Sequence, residues 1–184
     1  MTGPSFEALV ERRHCQTSGP QARRARPRIA AELKEKEVAM GLLKLDGVTH
    51  WSIAVNNLEE AEKFYRDVLG LEYQGRLGST KMACFTIAGH SILLCQRQEP
   101  LLRAPEQDGR VHHSFTVSPE VFDKACKLFQ AQGIRVVELI YREQGFFPGR
   151  ELYFLDPSGN MLELRDPTWK AGMPTPSYAE IARA

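Results

Sequence analysis

From residue 46 onward, apolar and polar positions recur with periods that predict a short list of elements. HWSIAVNN alternates with period two and predicts a strand. LEEAEKFYRDVLG follows, with Leu58, Ala61, Phe64, Tyr65, Val68 and Leu69 on one helical stripe. Asn57 is placed as its N-cap and Gly70 as the residue that ends it. Three strand patterns come next, LEYQGRL, KMACFTIA and SILLCQRQ, the last two flanking a tight turn at Gly89-His90. After an acidic, proline-containing link, QEPLLRAPEQDG, the order recurs. HHSFTVS predicts a strand. Ser118 and Pro119 open a helix with Phe122, Ala125, Cys126 and Phe129 on one stripe, ending at Gly133. GIRVVELIYRE, ELYFLDPSGN and MLELRD predict three more strands, with a turn at Asp156–Gly159. The chain therefore reads βαβββ twice, as modules 46–99 and 110–166. The openings of the two copies also match, His50-Trp51-Ser52-Ile53-Ala54-Val55 against His112-His113-Ser114-Phe115-Thr116-Val117.

Strand parity divides these residues between two faces. Ile53 and Val55 share a face, and His50, Ser52 and Ala54 take the other. Phe115 and Val117 oppose His112, Ser114 and Thr116. Leu162 and Leu164 oppose Met161, Glu163 and Arg165, and Phe154 opposes Glu151, Tyr153 and Leu155. Each strand has an apolar face suited to packing under a helix. The opposite faces together carry two histidines, a glutamate and a tyrosine, a set that points to a lined cavity rather than to plain solvated sheet.

Charge separates a tail from this patterned body. Residues 1–39 hold eight basic and five acidic groups, and QTSGPQARRARPR has almost no large apolar side chain. Such a segment buries too little surface to offset its ordering entropy, so residues 1–40 are expected to be a mostly disordered basic tail with one short helix at IAAELKEKEVAM. Met40, just ahead of the patterned sequence, is a candidate start of the natural chain. Residues 167–184 read as a C-terminal tail with an exposed Trp169. The whole chain has a net charge of +1, which points to no nucleic-acid partner. No apolar run is long enough for a membrane span. Four cysteines without a CxxC pair fit neither a disulfide framework nor a zinc ribbon, and the expected compartment is the reducing cytoplasm.

HWSIAVNNLEEAEKFYRDVLGLEY, then HHSFTV, then LYFLDPSGNMLELRD resemble, in that order, the vicinal oxygen chelate superfamily. It includes glyoxalase I, extradiol dioxygenases, fosfomycin-resistance thiol transferases and bleomycin-resistance proteins. The resemblance covers residues 46–166 and implies an α+β fold in which two βαβββ modules form a cup-shaped, partly open eight-stranded barrel around a divalent metal. Carried over by position, the metal ligands are His50, His112 and Glu163. Two histidines and a carboxylate suit Fe(II) or Mn(II) first, and also Zn(II) or Ni(II). The resemblance further implies a small substrate that chelates the metal through adjacent oxygens, and a homodimer whose modules can be exchanged between chains. Tyr153 is placed as a catalytic hydrogen-bond donor to a metal-bound oxygen. Ser52, Ser114, Arg165, Phe146 and Phe147 are placed in the substrate site, the two phenylalanines as a lid.

Departures from the pattern bear on the reaction. The fourth ligand of glyoxalase I falls on Leu93, which neither binds metal nor moves a proton. The acid-base histidines of the extradiol enzymes are missing from the matching strands. The lysine of the fosfomycin enzymes is missing from YREQGFFPGR. Extradiol-type dioxygenase chemistry is narrowly preferred. A glyoxalase-type lyase or isomerase, or a fosfomycin-type thiol transferase, is the alternative, and a ligand-sequestering protein without chemistry is the second. Arg165, Arg150 and Arg97 remain as candidates for holding an anionic substrate group. With the turn at Gly89-His90, Cys84 falls opposite Cys95, and the two are expected to be reduced thiols facing the cavity.

Overall fold

The computed structural model describes residues 47–103, 108 and 110–184. The expectations for residues 1–40 lie outside them. Strand β1 (His50–Val55) leads into helix α1 (Leu58–Lys63), which continues as a π-helical turn over Phe64–Val68. Strands β2 (Glu72–Arg76), β3 (Met82–Ile87) and β4 (His90–Gln96) complete the first module. The second comprises β5 (His113–Thr116), α2 (Pro119–Gln132), β6 (Val136–Arg142), β7 (Gly149–Leu155) and β8 (Met161–Asp166), and a terminal helix α3 (Tyr178–Arg183) follows. Each module builds its own four-stranded sheet, ordered β1-β4-β3-β2 and β5-β8-β7-β6. β1 runs parallel to β4 and β5 to β8, and the other pairs are antiparallel. The two sheets remain separate, so the fold is an open cup rather than a closed barrel.

The caps stand where the sequence puts them. Asn57 Oδ1 accepts from the backbone N–H groups of Glu59 (3.1 Å) and Glu60 (3.2 Å). Ser118 caps α2 with Pro119 in its first turn, and Gly133 closes the helix in the left-handed region at φ +65°. The apolar stripes pack inward. Phe64 and Tyr65 cover Ile53, Phe85 and Leu94, while Phe122 and Phe129 cover Leu152, Phe154 and Leu162, all in one continuous core. The opposite face of each sheet is left free to line a site.

Two local expectations are corrected. The β3–β4 turn is Ala88-Gly89, one residue earlier than expected, with φ of +48° and +80°. A two-residue turn of the I′ type needs both central residues in the left-handed region, and glycine in second place supplies one of them at no steric cost. Ile87 therefore pairs with His90, Cys84 with Leu93 and Met82 with Cys95. The two cysteines share a face but stand diagonally, not opposite. Trp169 is buried rather than exposed. Its indole N–H donates to Pro174 O at 3.0 Å, its ring packs 5.1 Å from Tyr141, and Ile181 of α3 is buried as well. Residues 167–184 thus pack against the second module, with Tyr178 Oη donating to Cys126 O at the end nearest α2.

The Asp156–Asn160 turn does more than reverse the chain. Asp156 Oδ1 accepts from the backbone N–H groups of Ser158 and Asn160, both at 2.8 Å. Its Oδ2 accepts from Asn160 Nδ2 (2.7 Å) and from the buried Tyr65 hydroxyl (3.0 Å) of the other module. Asn160 Nδ2 also donates to Ala54 O at 3.1 Å, and Ser158 Oγ accepts from Asn56 N at 2.9 Å. One turn of the second module thereby clasps the end of β1 and the helix behind it.

Candidate metal centre

The free face of the second sheet carries one dense polar row. Register places Ser114, Glu163 and Tyr153 side by side across β5, β8 and β7, with Thr116, Arg165 and Glu151 in the next row. His112 stands immediately before β5 and reaches the same place. Together they line a cavity of about 550 Å³, whose lining also includes the exposed Phe146 and Phe147. A second cavity of about 560 Å³ beside Arg103, Asp156 and Gly133 has no converging histidine and carboxylate, so the chemistry is assigned to the first.

His112 and Glu163 form its centre. His112 Nδ1 lies 2.6 Å from the carbonyl oxygen of Arg110, which can only accept, so this contact assigns the ring proton to Nδ1. Nε2 then turns a lone pair toward Glu163 Oε2, 2.9 Å away. Two acceptors at that distance require a proton or a cation between them. Ligand bonds of about 2.1 Å at right angles put nitrogen and oxygen roughly 3 Å apart, so this pair already has the spacing of neighbouring metal ligands. The donor set fits a divalent ion. Burial and the nearby Glu151 carboxylate push the Glu163 carboxyl above its ordinary value, against the opposing effect of Ser114 and His112.

The surroundings fix what each neighbour can offer. Glu151 is buried and held by both Arg142 Nε and Nη2 at 2.8 Å. Burial raises its carboxyl, but the Arg142 bonds outweigh that and leave it below its ordinary value. Tyr153 Oη donates to Glu151 Oε2 at 3.1 Å, and its ring meets His112 edge-on at 5.2 Å. Burial, then the Glu163 and Glu151 carboxylates, push the phenol up to about 12. Tyr153 therefore stays protonated with its proton engaged by Glu151, and the group it turns to the cavity is an oxygen lone pair. To donate to a metal-bound oxygen it would first have to leave Glu151.

Of the three candidate arginines, two are engaged away from this cavity. Arg150 binds Asp166 (2.8 Å), Asp123 (2.6 Å) and Pro119 O (3.1 Å), and lies over the Phe122 ring. Arg97 binds Ala54 O and Asn56 Oδ1. Arg165 alone lines the cavity with donors to spare. Its Nη2 donates to Pro148 O, its Nε is buried without a partner, and its guanidinium stands 5.7 Å from the Phe147 ring centroid. Phe147 is largely exposed and Phe146 almost completely so.

His50 and Ser52 lie elsewhere. Both are exposed on the free face of the first sheet, paired with Ser91 and Leu93, and neither lines the His112–Glu163 cavity. Among the described residues no three His, Cys, Asp or Glu side chains converge on one point. One chain thus brings together two of the three expected ligands. Sequence reasoning missed the Arg142–Glu151–Tyr153 relay. Its signal was the parity that puts Glu151 on Tyr153's face, but nothing in the sequence shows which cation neutralises it.

The repeat, the two open sheets and the histidine-carboxylate pair agree with a family model, Glyoxalase/Bleomycin resistance protein/Dioxygenase superfamily, that matches residues 47–164. The chain belongs to this superfamily. Among its curated relatives, the glutathione transferase FosA of Serratia marcescens is 27% identical over 120 residues, 65% of this chain and 80% of that one. The metallothiol transferase FosB of Lysinibacillus sphaericus is 28% identical over 127 residues, 68% of this chain and 86% of that one. In fold, this superfamily member superposes on the fosfomycin resistance protein FosX of Listeria monocytogenes with a TM-score of 0.54 at 22% identity, covering 66% and 92% of the two chains. A lactoylglutathione lyase from Agrobacterium tumefaciens gives a TM-score of 0.52 at 24% identity, covering 71% and 100%. The curated relatives agree better with the alternative reading, a glyoxalase-type or fosfomycin-type enzyme, than with the dioxygenase chemistry preferred from sequence.

Proposed function

We propose that this protein is a divalent-metal enzyme that adds a thiol to a small, anionic, oxygen-rich substrate. The observation that carries the reading is the 2.9 Å approach of His112 Nε2 to Glu163 Oε2, with the ring locked by Arg110 O. His112 and Glu163 hold the ion, Mn(II) or Fe(II) by the hardness of the set, and His50 supplies the third ligand. When bound, the metal polarises the chelated substrate oxygens and stabilises charge that develops on them. Arg165 takes the anionic group of the substrate on its unpaired donors, and Ser114 holds Glu163 in place. Phe146 and Phe147, exposed beside the cavity, fold over the substrate once it is bound and exclude water from it. Arg142 and Glu151 neutralise each other and keep the Tyr153 oxygen turned inward. The names of the transferase relatives support thiol addition, and Leu93 in place of a fourth ligand weighs against isomerase-type proton transfer.

His50 reaches this set when the cup is shared. The first sheet of one protomer then faces the second sheet of its partner, and each of two cups holds His50 from one chain with His112 and Glu163 from the other. Mixing His50→Ala with His112→Ala chains by refolding tests this. Each mixed dimer regains one intact site, so a statistical mixture recovers about a quarter of the wild-type metal per chain. Recovery of none would place the whole site in a single chain.

The reaction is tested by offering small epoxides bearing a carboxylate or phosphonate, with glutathione and Mn(II), and following loss of free thiol. The sulfur–carbon bond forms as the carbon–oxygen bond breaks, and the alkoxide takes up a proton. Metal-dependent turnover is expected, with Arg165→Ala raising KM about tenfold or more through the lost anion contact. Binding of these compounds without turnover would move the reading to a sequestering protein.

A further inference from the structure

The two modules are copies, so their free faces can be compared row by row. In the second, the rows are Ser114, Glu163, Tyr153 and Thr116, Arg165, Glu151. In the first they are Ser52, Leu93, Cys84 and Ala54, Cys95, Met82. The serine is kept, and so is the histidine ahead of it. The four positions that carry Glu163, Tyr153, Arg165 and Glu151 in the second module carry Leu93, Cys84, Cys95 and Met82 in the first. Hard oxygen groups and a guanidinium have given way to three sulfurs and a leucine.

We propose that Met82, Cys84 and Cys95 form a soft-metal site for one Cu(I) ion on the free face of the first sheet. Met82 lies directly opposite Cys95, and Cys84 is two residues along β3 on the same face, diagonal to Cys95. All three are half-buried, while their neighbours Ala83, Phe85 and Leu94 point into the core. Diagonal Cβ atoms stand roughly 6–7 Å apart, beyond the ~4 Å that a disulfide needs, and both cysteines are free thiols. The same spacing suits an ion between them. Two metal–sulfur bonds of about 2.3 Å span a sulfur separation of roughly 4 Å, which the two Sγ atoms reach by turning toward each other. Met82, with its flexible unbranched stem, brings a thioether in as the third ligand. Two thiolates and a thioether select Cu(I) over the divalent ions that suit His112 and Glu163. Leu93 fills the fourth corner and brings no hard ligand near. On binding, Cu(I) forms three bonds to sulfur and the two thiols release two protons, with no change of oxidation state.

These three ligands are none of those proposed for the divalent ion, although their face also carries His50, so the test counts Cu(I) apart from the divalent metal. Full-length protein in a Cys15→Ser background is reduced, kept free of oxygen, and titrated with Cu(I) against bicinchoninate. One ion per chain is expected to leave the chelator, with two protons released per ion. Cys84→Ser and Cys95→Ser should each lower the affinity about a hundredfold or more, and Met82→Leu about tenfold. Circular dichroism shows whether each variant folds, and Ag(I), which is redox-inert here, repeats the count. Cys126 stays in place as a control. It is buried, and burial pushes its thiol up to about 11. Copper that remains with the chelator in the parent protein would overturn the proposal, as would serine variants that fold and bind as the parent does.

Discussion

Replacing Asp156 by alanine should come close to unfolding the protein, although Asp156 sits in a turn. Its carboxylate is 4% exposed and accepts four hydrogen bonds, from Ser158 N, Asn160 N, Asn160 Nδ2 and Tyr65 Oη. Asp156→Ala leaves the two backbone donors and the Tyr65 hydroxyl without an acceptor, and Tyr65 has no exposed surface through which to find water. An orphaned buried donor costs about 1–3 kcal/mol, so the three together cost about 4–6 kcal/mol after partial relaxation. A whole domain is stable by only about 5–15 kcal/mol. Tyr65→Phe removes one donor and leaves Asp156 with three, which costs about 1–2 kcal/mol. In the Asp156→Ala background the same change removes an orphan and should cost nothing, a coupling of about 1–2 kcal/mol. Urea unfolding of the four metal-free proteins measures all of these quantities. An Asp156→Ala cost below about 1 kcal/mol, or a Tyr65→Phe cost equal in both backgrounds, would show that the Asp156–Tyr65 bond does not hold the modules together.

Other consequences can be measured on the same protein. Gly149 sits at φ +147°, and a Cβ there would lie 2.5 Å from the Asp166 carbonyl oxygen, so Gly149→Ala should cost about 2–4 kcal/mol in thermal or urea unfolding. Burial pushes the Asp166 carboxyl up, but Thr168 and Arg150 outweigh it and hold it below its ordinary value. Its contribution to stability is therefore present above the usual carboxylate range and is lost as pH falls through the lower folded value; Arg150→Met should flatten that acid limb, and an unchanged limb would refute the assignment. Glu163 has the opposite sign, because its folded value is raised. Its contribution is complete below the ordinary value and is lost as pH rises through the raised one. Glu163→Gln should thus be more stable than wild type at neutral pH without metal, and less stable than wild type with saturating Mn(II), as scanning calorimetry would show.

The elements of this fold are legible in its sequence because two periodicities and a repeat state them together. Asn57, Ser118 and Gly133 act as caps because each does so through its own side chain or backbone freedom. Face assignments survive even where register slips. The Ala88-Gly89 turn moves the Cys84 partner by two residues, from Cys95 to Leu93, and a shift of two keeps every side chain on its face. Partnerships across the fold are a different matter. That Asp156 would bind Tyr65, that Arg142 would neutralise Glu151, and that Arg165 would be the candidate arginine lining the cavity all depend on tertiary placement. Trp169 looked exposed because a proline-rich tail carries no period, and only its docking on Tyr141 buries it. For the candidate site, parity gave the face of every residue but not the distance between the two sheets, and His50 stands apart for that reason.

The proposed function stands on a divalent metal held by His112 and Glu163. Elemental analysis of full-length protein, purified without chelator and then reconstituted with Mn(II), tests it most directly beside His112→Ala. About one equivalent per chain is expected in the wild type and none in the variant. No metal in the wild type after reconstitution, or equal metal in both proteins, would contradict it.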